Sequence, residues 1–301
     1  MKKKIILGSR GSLLALAQSE KIKEQLQGLN PELDIEIKVI MTSGDKDLVS
    51  NWENSNTSLK SFFTKEIEKE LLEGKIDLAV HSMKDMPIIS PEGLICGAIP
   101  KREDNRDVFV SIKYKNLYEL PEKAVVGTSS LRRTSALKEL RPDLEIKHLR
   151  GNIHTRLRKL KDGDYDGIIL AAAGLKRVGL EDEITQYFKA EEMMPAPAQG
   201  ALHIQCREGD REILEILKGV HDKSVEEIVL IEREFSKIFD GGCHTPMGCS
   251  GEIKGDEILL KGSYWEKGKI YRSEVLEKRE KGEEIAEILA QKIREMMAVE
   301  G

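Results

Sequence analysis

The sequence predicts an α/β protein of more than one domain, its sheets mostly parallel, closed by a small α+β C-terminal domain. Three observations predict it. Short apolar runs alternate with amphipathic helical stretches through the first two-thirds of the chain, two seams interrupt that alternation, and after about residue 222 neighbouring strands follow one another directly. At 301 residues there is length for two or three domains, each with its own core.

Lys4–Leu7 is predicted as a strand and Ser12–Gln27 as a helix, with Ala15, Ile22, Leu26 and Leu29 aligned on one face. Ile35–Ile40 alternates like a strand, Phe62–Leu72 is helical, and Ile76–Val80 is a buried-type strand. The pattern recurs as strand Ala124–Val126, helix Leu131–Leu140, strand Glu145–Leu149, helix Ile153–Leu160 and strand Gly167–Leu170. Pro100-Lys-Arg-Glu-Asp104 and Met194-Pro-Ala-Pro-Ala-Gln-Gly200 are the seams. The isolated strand Ala201–Cys206 is expected to complete the first sheet, which makes the seams a two-stranded connection between domains. Helix Val225–Phe239 then precedes three strands, Glu257–Leu260, Gly262–Trp265 and Ile270–Val275, in an antiparallel meander. A closing helix spaces Ile285, Ile288, Leu289, Lys292, Ile293 and Met296 on one side. The expected domains are 1–99 with 197–217, 103–194, and 222–301. Residues 42–61 are polar and without period, the length of a lid or binding loop.

Forty per cent hydrophobic and 34% charged residues suit a soluble globular protein, and no apolar run approaches the ~18 residues of a membrane helix. The first apolar stretch is far too short for a signal peptide and the four cysteines are scattered, so a cytoplasmic protein is expected. The formal net charge of −5 disfavours general polyanion binding. Between Ser130 and Arg177, however, twelve Lys or Arg face six acids, a local balance of +6. Tyr165 is the one aromatic of that window, too few for a single-strand nucleic-acid platform. Discrete carboxylates are the better partner.

Gly127-Thr128-Ser129-Ser130-Leu131-Arg132-Arg133 puts hydroxyls and two guanidiniums where a strand ends and a helix begins. Free N–H groups there attract anions, and arginine pairs bidentately with carboxylate. An ordinary serine cap with solvated arginines is the alternative. Gly8-Ser9-Arg10-Gly11-Ser12 repeats the arrangement, without the spacing of a Walker loop or dinucleotide fingerprint. Arg150, Arg156, Lys176 and Arg177 add cations just after strands, where open α/β sheets bind ligands. His81-Ser-Met-Lys84-Asp85-Met-Pro87 sets an imidazole, an ammonium and a carboxylate at another strand end; a solvated Lys84–Asp85 pair is the competing explanation. Gly241-Gly-Cys243-His244-Thr-Pro246 presents a thiol on a glycine turn. No second cysteine pair completes a zinc site, so no metal is expected. Cys96 and Cys206, inside apolar strands, belong to the core.

These segments, with Arg102-Glu-Asp104, Leu149-Arg-Gly-Asn152, Ala171-Ala-Ala-Gly-Leu-Lys-Arg177 and Gln199-Gly200, closely resemble the porphobilinogen deaminase (hydroxymethylbilane synthase) family, in order and along nearly the whole chain. The resemblance implies two domains like those of periplasmic binding proteins and a third carrying a dipyrromethane cofactor on Cys243 through a thioether. It implies a transferase of tetrapyrrole (heme) biosynthesis. Four porphobilinogens join that primer in turn, each losing ammonia, before water releases the linear tetrapyrrole. Asp85 is then the catalytic carboxylate, assisting ammonia loss and stabilising the cationic azafulvene. Cofactor contacts fall to Lys84, Asp85, Thr128, Ser129, Ser130, Arg132, Arg133 and Arg150. Substrate contacts fall to Arg10, Ser12, Gln18, Lys60, Arg150, Arg156, Arg177 and Gln199. A monomer with porphobilinogen as its small-molecule partner, and no nucleic acid or membrane, is expected. A non-catalytic α/β binding protein for a small polycarboxylate is the alternative function.

Two departures from the family pattern stand out. Where the family has Gly-Gly-Lys-Gly-Leu-Phe, this chain reads Ser58-Leu59-Lys60-Ser61-Phe62-Phe63, losing backbone freedom expected of a closing loop. Ala198 stands where glycine commonly precedes Gln-Gly.

Overall fold

The computed structural model describes residues 4–42, 61–239 and 245–300. The chain folds as two compact units, Met1–Arg102 with Ala201–Val225 and Glu103–Gly200 with Glu226–Gly301, so it passes between them at three places.

In the first unit, β1 (Lys4–Ser9), β2 (Asp34–Val39), β3 (Leu78–Ser82), β4 (Leu94–Ala98) and β10 (Leu202–Arg207) form one sheet in the order β2-β1-β3-β10-β4. β1 is parallel to β2 and β3, and β10 is antiparallel to both its neighbours. The late strand does complete the first sheet, as its lack of a local partner predicted. Helix α1 (Leu13–Leu29) buries Ala15, Ile22 and Leu26. Helix α2 (Ser61–Leu72) buries Ile67 and Leu71. Helix α6 (Arg211–Leu217) adds Ile213, Ile216 and Leu217 to the core of Ile5, Leu7, Leu78 and Ile204. Arg207 ties the end of α2 down, donating to the carbonyls of Leu71 and Ile76 at 2.8 and 2.7 Å and to Asp77 and Asp210. A cation there offsets the negative end of the helix dipole.

The second unit begins with a sheet of the same plan. β5 (Asp107–Val110), β6 (Val125–Gly127), β7 (Glu145–Lys147), β8 (Gly167–Ala171) and β9 (Gln186–Tyr187) lie in the order β7-β6-β8-β5-β9, with β5 antiparallel to β8 and β9. Helices α3 (Leu131–Leu140), α4 (Ile153–Lys161) and α5 (Ala172–Arg177) follow β6, β7 and β8. β4 is the apolar strand expected around Cys96, although Cys96 itself is half-buried and only Cys206 belongs to the core. β5 and β9 are strands that periodicity did not flag; they are four and two residues long, and β5 begins on an acid within a charged stretch.

The C-terminal sheet corrects a second expectation. Its strands are β11 (Met247–Lys254), β12 (Glu257–Glu266) and β13 (Lys269–Lys278), an antiparallel meander with the first strand earlier than expected. The expected strands at 257–260 and 262–265 are one continuous β12. Gly262 between them is no break: a Cβ there would meet Leu289 at 2.8 Å and Phe235 at 2.9 Å, so its bare backbone lets α7 (Lys223–Ile238) and α8 (Glu284–Glu300) lie close. Ile228, Ile231 and Phe235 of α7 and Ile285, Leu289 and Ile293 of α8 fill that core. Within this unit the small sheet is pinned to the rest by Arg272 paired bidentately with Glu139, by Asn105 donating to Ser250 at 3.0 Å, and by Cys249 N–H donating to Pro195 O at 2.9 Å.

Candidate active site

In the first unit the predicted residues gather at the ends of β1 and β3. Arg10 lies half-buried in the turn after β1, and Ser12 caps α1 by accepting the Ala15 N–H at 3.3 Å. Gln18, one turn and a half further on, is buried and donates to Ser82 Oγ at 3.0 Å. Ser82 leads into a 3-10 turn, Met83–Asp85, that carries Lys84 half-buried and Asp85 exposed. That turn is held rigidly. Met83 and Met86, each 2% exposed, anchor its two sides, each worth about 1.5–3 kcal/mol of burial. Met83 N–H donates to Ala201 O at 3.0 Å and Met86 N–H to Met83 O at 3.1 Å. The backbone is therefore fixed while the Asp85 carboxylate meets solvent.

Beneath it, His81 is buried and hydrogen-bonded to Gln205 Oε1 at 3.1 Å, and Gln205 donates on to Glu68 at 3.4 Å. Burial pushes the His81 imidazole down to about 4, with the Arg10 charge adding to the effect against the Gln205 bond. At neutral pH it is an uncharged donor to Gln205 and adds no positive charge beside Arg10.

In the second unit the hydroxyl-rich turn after β6 is used locally. Thr128 Oγ1 accepts Ser130 N–H at 3.2 Å, and Ser130 caps α3 through Arg133 N–H at 3.5 Å. Ser129 Oγ donates to Leu149 O at 3.0 Å, which fixes the next strand-end loop. The sequence placed an anion against Arg132 and Arg133; the structure supplies one within the protein. Asp107, fully buried at the start of β5, accepts Arg132 Nη1 at 2.5 Å, and Arg133 Nη2 and Nε at 2.7 and 3.1 Å. Arg132 also donates to Met194 O at 2.6 Å and Arg133 to Ile169 O at 3.0 Å. Gln199, fully buried, donates to Asp107 Oδ1 at 3.0 Å and to Asn105 O at 2.7 Å.

Burial alone would raise the Asp107 carboxyl, but the two guanidiniums outweigh it and hold the group well below the usual carboxylate range. At Arg132 the balance goes the other way, because burial lowers its affinity for the proton more than Asp107 restores it. Guanidinium starts so high that it stays charged regardless, so the pair acts chiefly to keep Asp107 ionised. Two buried cations against one anion leave the cluster a net positive charge. Asp107 was not singled out in the sequence. The signal was there: an acid opening an all-apolar strand, Asp107-Val-Phe-Val110, requires a buried partner.

The remaining cations sit around strand ends of the same unit. Arg150 is exposed before α4, and Arg156 is half-buried with Nε donating to Gly151 O at 2.7 Å. Arg177 closes α5 and donates through Nη2 to Gly200 O at 2.6 Å. Its Nε is buried without a hydrogen-bond partner among the described residues. Burial brings its guanidinium down to about 10, against the pull of Glu103. A carboxylate would supply the acceptor that Nε lacks, so this donor fits an anionic group carrying acid side chains. Cys243 and Lys60, and the departures at Ser58 and Leu59, lie outside the described residues; Ser61 opens α2.

Residues 5–215 match the family model described as porphobilinogen deaminase, dipyromethane cofactor binding domain, and residues 227–299 match the porphobilinogen deaminase C-terminal domain. The porphobilinogen deaminase of Fusobacterium nucleatum subsp. nucleatum is 64% identical over 294 residues, 98% of this chain and 98% of that one. That of Macrococcus caseolyticus is 49% identical over 261 residues, 86% and 84% of the two chains. That of Lysinibacillus sphaericus is 46% identical over 292 residues, 95% and 94%. Among solved structures, the methionine-binding protein MetQ is 15% identical, covering 80% of this chain and 96% of that one, with a TM-score of 0.45, below the level at which a shared fold is concluded. An exposed carboxylate on a rigid strand-end turn, a graded set of arginines, and two matched domain models spanning the chain lead to one assignment: this protein belongs to the porphobilinogen deaminase family.

Proposed function

We propose that this chain is a hydroxymethylbilane synthase, a transferase that condenses four porphobilinogens head to tail with loss of ammonia and releases the linear product with water. The observation that carries the reading is the 64% identity, over 294 residues, with a curated porphobilinogen deaminase. The matched models are those of a deaminase's cofactor-binding and C-terminal domains, which favours the enzyme over a non-catalytic polycarboxylate binder.

Cys243 would hold the dipyrromethane by a thioether, and that group, when bound, supplies the ring carbon to which each new pyrrole is joined. The chain's own residues do the rest. Asp85, exposed on its locked turn, would accept pyrrole N–H groups, stabilise the positive charge that develops as ammonia leaves, and exchange a proton there. Arg10, Lys84, Arg150, Arg156 and Arg177 would pair with acetate and propionate groups, Arg177 through its unmet Nε. Lys60 and Ser12 are proposed alongside them at the substrate. Arg132 and Arg133 would act on the primer's carboxylates through the positive charge that Asp107 leaves uncancelled, and Thr128, Ser129 and Ser130 would shape that turn. Gln18 and Gln199, both buried, would each support the substrate-binding residues of its own unit.

We further propose three domains, 1–99 with 197–217, 103–194 and 222–301; separate apolar cores around Ile5, Phe109 and Phe235 support the division. We also propose a metal-free cytoplasmic monomer without nucleic-acid partners, the last supported by the acidic net charge of −5. Among the described residues no helix is long and apolar enough to cross a membrane.

Asp85→Asn tests the mechanism, since it keeps the shape and removes the charge. Turnover of porphobilinogen is expected to fall about 100-fold or more, with the unfolding midpoint unchanged. Turnover near wild type would remove Asp85 from its role.

A further inference from the structure

We infer that Glu232 is a positioning residue: a buried carboxylate clamp that fixes the Met194–Gly200 seam, and through it the Arg132–Asp107–Arg133 cluster, against the helix that leads to Cys243. Glu232 lies on α7, fully buried. Its Oε2 accepts Ala198 N–H at 2.7 Å and its Oε1 accepts Gly251 N–H at 2.9 Å, so one side chain joins the seam to β11. The seam in turn holds the cations. Met194 O accepts Arg132 at 2.6 Å, Gln199 donates to Asp107 at 3.0 Å, and Gly200 O accepts Arg177 at 2.6 Å. α7 ends at Ile238, five residues before Cys243 in the sequence.

Two features of the clamp are chemically specific. Two backbone donors converge on one side chain, and only a carboxylate offers two acceptor oxygens with no donor. Glutamine of the same shape must turn an N–H toward one of those amides and leave it unmet. Ala198 is also held at φ +60, fully buried, in the left-handed region that alanine disfavours and glycine takes freely. The bond from its N–H to Glu232 is what fixes that conformation in place of a glycine. Gly200 beside it has φ +86 and no room for a side chain, since a Cβ would lie 2.4 Å from Glu103 O. The seam is thus a tightly specified backbone path.

The test uses the primer-loaded enzyme. Glu232→Gln is expected to lower kcat for porphobilinogen roughly tenfold with a smaller rise in KM, because the ties through Met194 and Gln199 reach the primer-holding cluster and the one through Gly200 reaches Arg177. Adding Ala198→Gly is expected to recover much of that loss, because glycine adopts the required φ unaided. A kcat within twofold of wild type, a loss appearing only in KM, or no recovery in the double variant would overturn the clamp. Should Glu232→Gln not fold, amide hydrogen exchange on the wild-type holoenzyme decides. The Ala198 and Gly251 amides are expected among its slowest, and exchange at the rate of exposed loops would refute the proposal. The kinetic arm rests on the proposed synthase activity. A wild type that does not consume porphobilinogen would count against that activity, while the exchange arm would still judge the clamp.

Discussion

The turn at Gly8–Ser12 and the turn at Gly127–Arg133 both leave a parallel strand, both cap a helix with serine, and both carry arginine, yet they set that arginine to different uses. Arg10 precedes its cap, Ser12, by two residues and stays in the loop at the strand edge, half-buried beside a site whose buried histidine is neutral. Arg132 and Arg133 follow their cap, Ser130, and the first helical turn swings them inward onto Asp107. Position relative to the cap separates an arginine that stays in the strand-end loop from two that are built into the core. The two regions should therefore fail differently when altered.

The largest effect is expected at the built-in cluster. Asp107→Ala leaves two buried guanidiniums without their carboxylate, which costs about 3–5 kcal/mol in denaturant unfolding. Asp107→Asn should approach it, because the amide keeps the volume but not the charge. A loss below about 1 kcal/mol for both would mean the cluster is no structural centre.

Acid should separate the two regions next. His81 is held from 6.5 down to about 4 by burial, so its contribution is complete above the unfolded value and declines as pH falls through that window, by about 3 kcal/mol in all. Asp107 is also depressed, so its contribution persists through that window and is lost only as pH falls below the ordinary carboxylate range. Unfolding free energies of wild type and His81→Gln at pH 7 and pH 4 check this. The variant should lack most of the decline, and parallel declines would show that His81 is not its source.

The strand-end arginines proposed for the substrate should give the smallest effect, and on activity. Arg150→Ala is expected to leave stability within about 0.5 kcal/mol and to slow chain growth about tenfold, near 1.4 kcal/mol. Intermediates counted by mass on the enzyme would show the stall. An Arg150→Ala enzyme that unfolds early and elongates normally would reverse the contrast drawn here.

Much of this contrast was legible in the residues, and the part that was not has a physical reason. Strand–helix alternation located α3 at Leu131–Leu140 to the residue, and the unpartnered apolar run after Gly200 foretold that β10 enters the first sheet. Asp85 and the exposed Arg150 lie at strand ends, where the parallel-sheet pattern put them. The partner of Arg132 was hidden because Asp107 lies 25 residues earlier, on a short antiparallel strand with no period to announce it. Glu232 was hidden for the same reason. A charged residue within an amphipathic helix reads as solvated until the chain returns to cover it with Ala198 and Gly251. Local pattern reports local structure, and buried polar ties are made by distant segments.

We propose above all that Cys243 carries a covalent two-ring primer. Intact mass of the freshly purified protein tests it most directly. Wild type is expected to carry an adduct of two pyrrole rings that is absent from Cys243→Ala. An unmodified wild type that also forms no bilane from porphobilinogen would contradict the account.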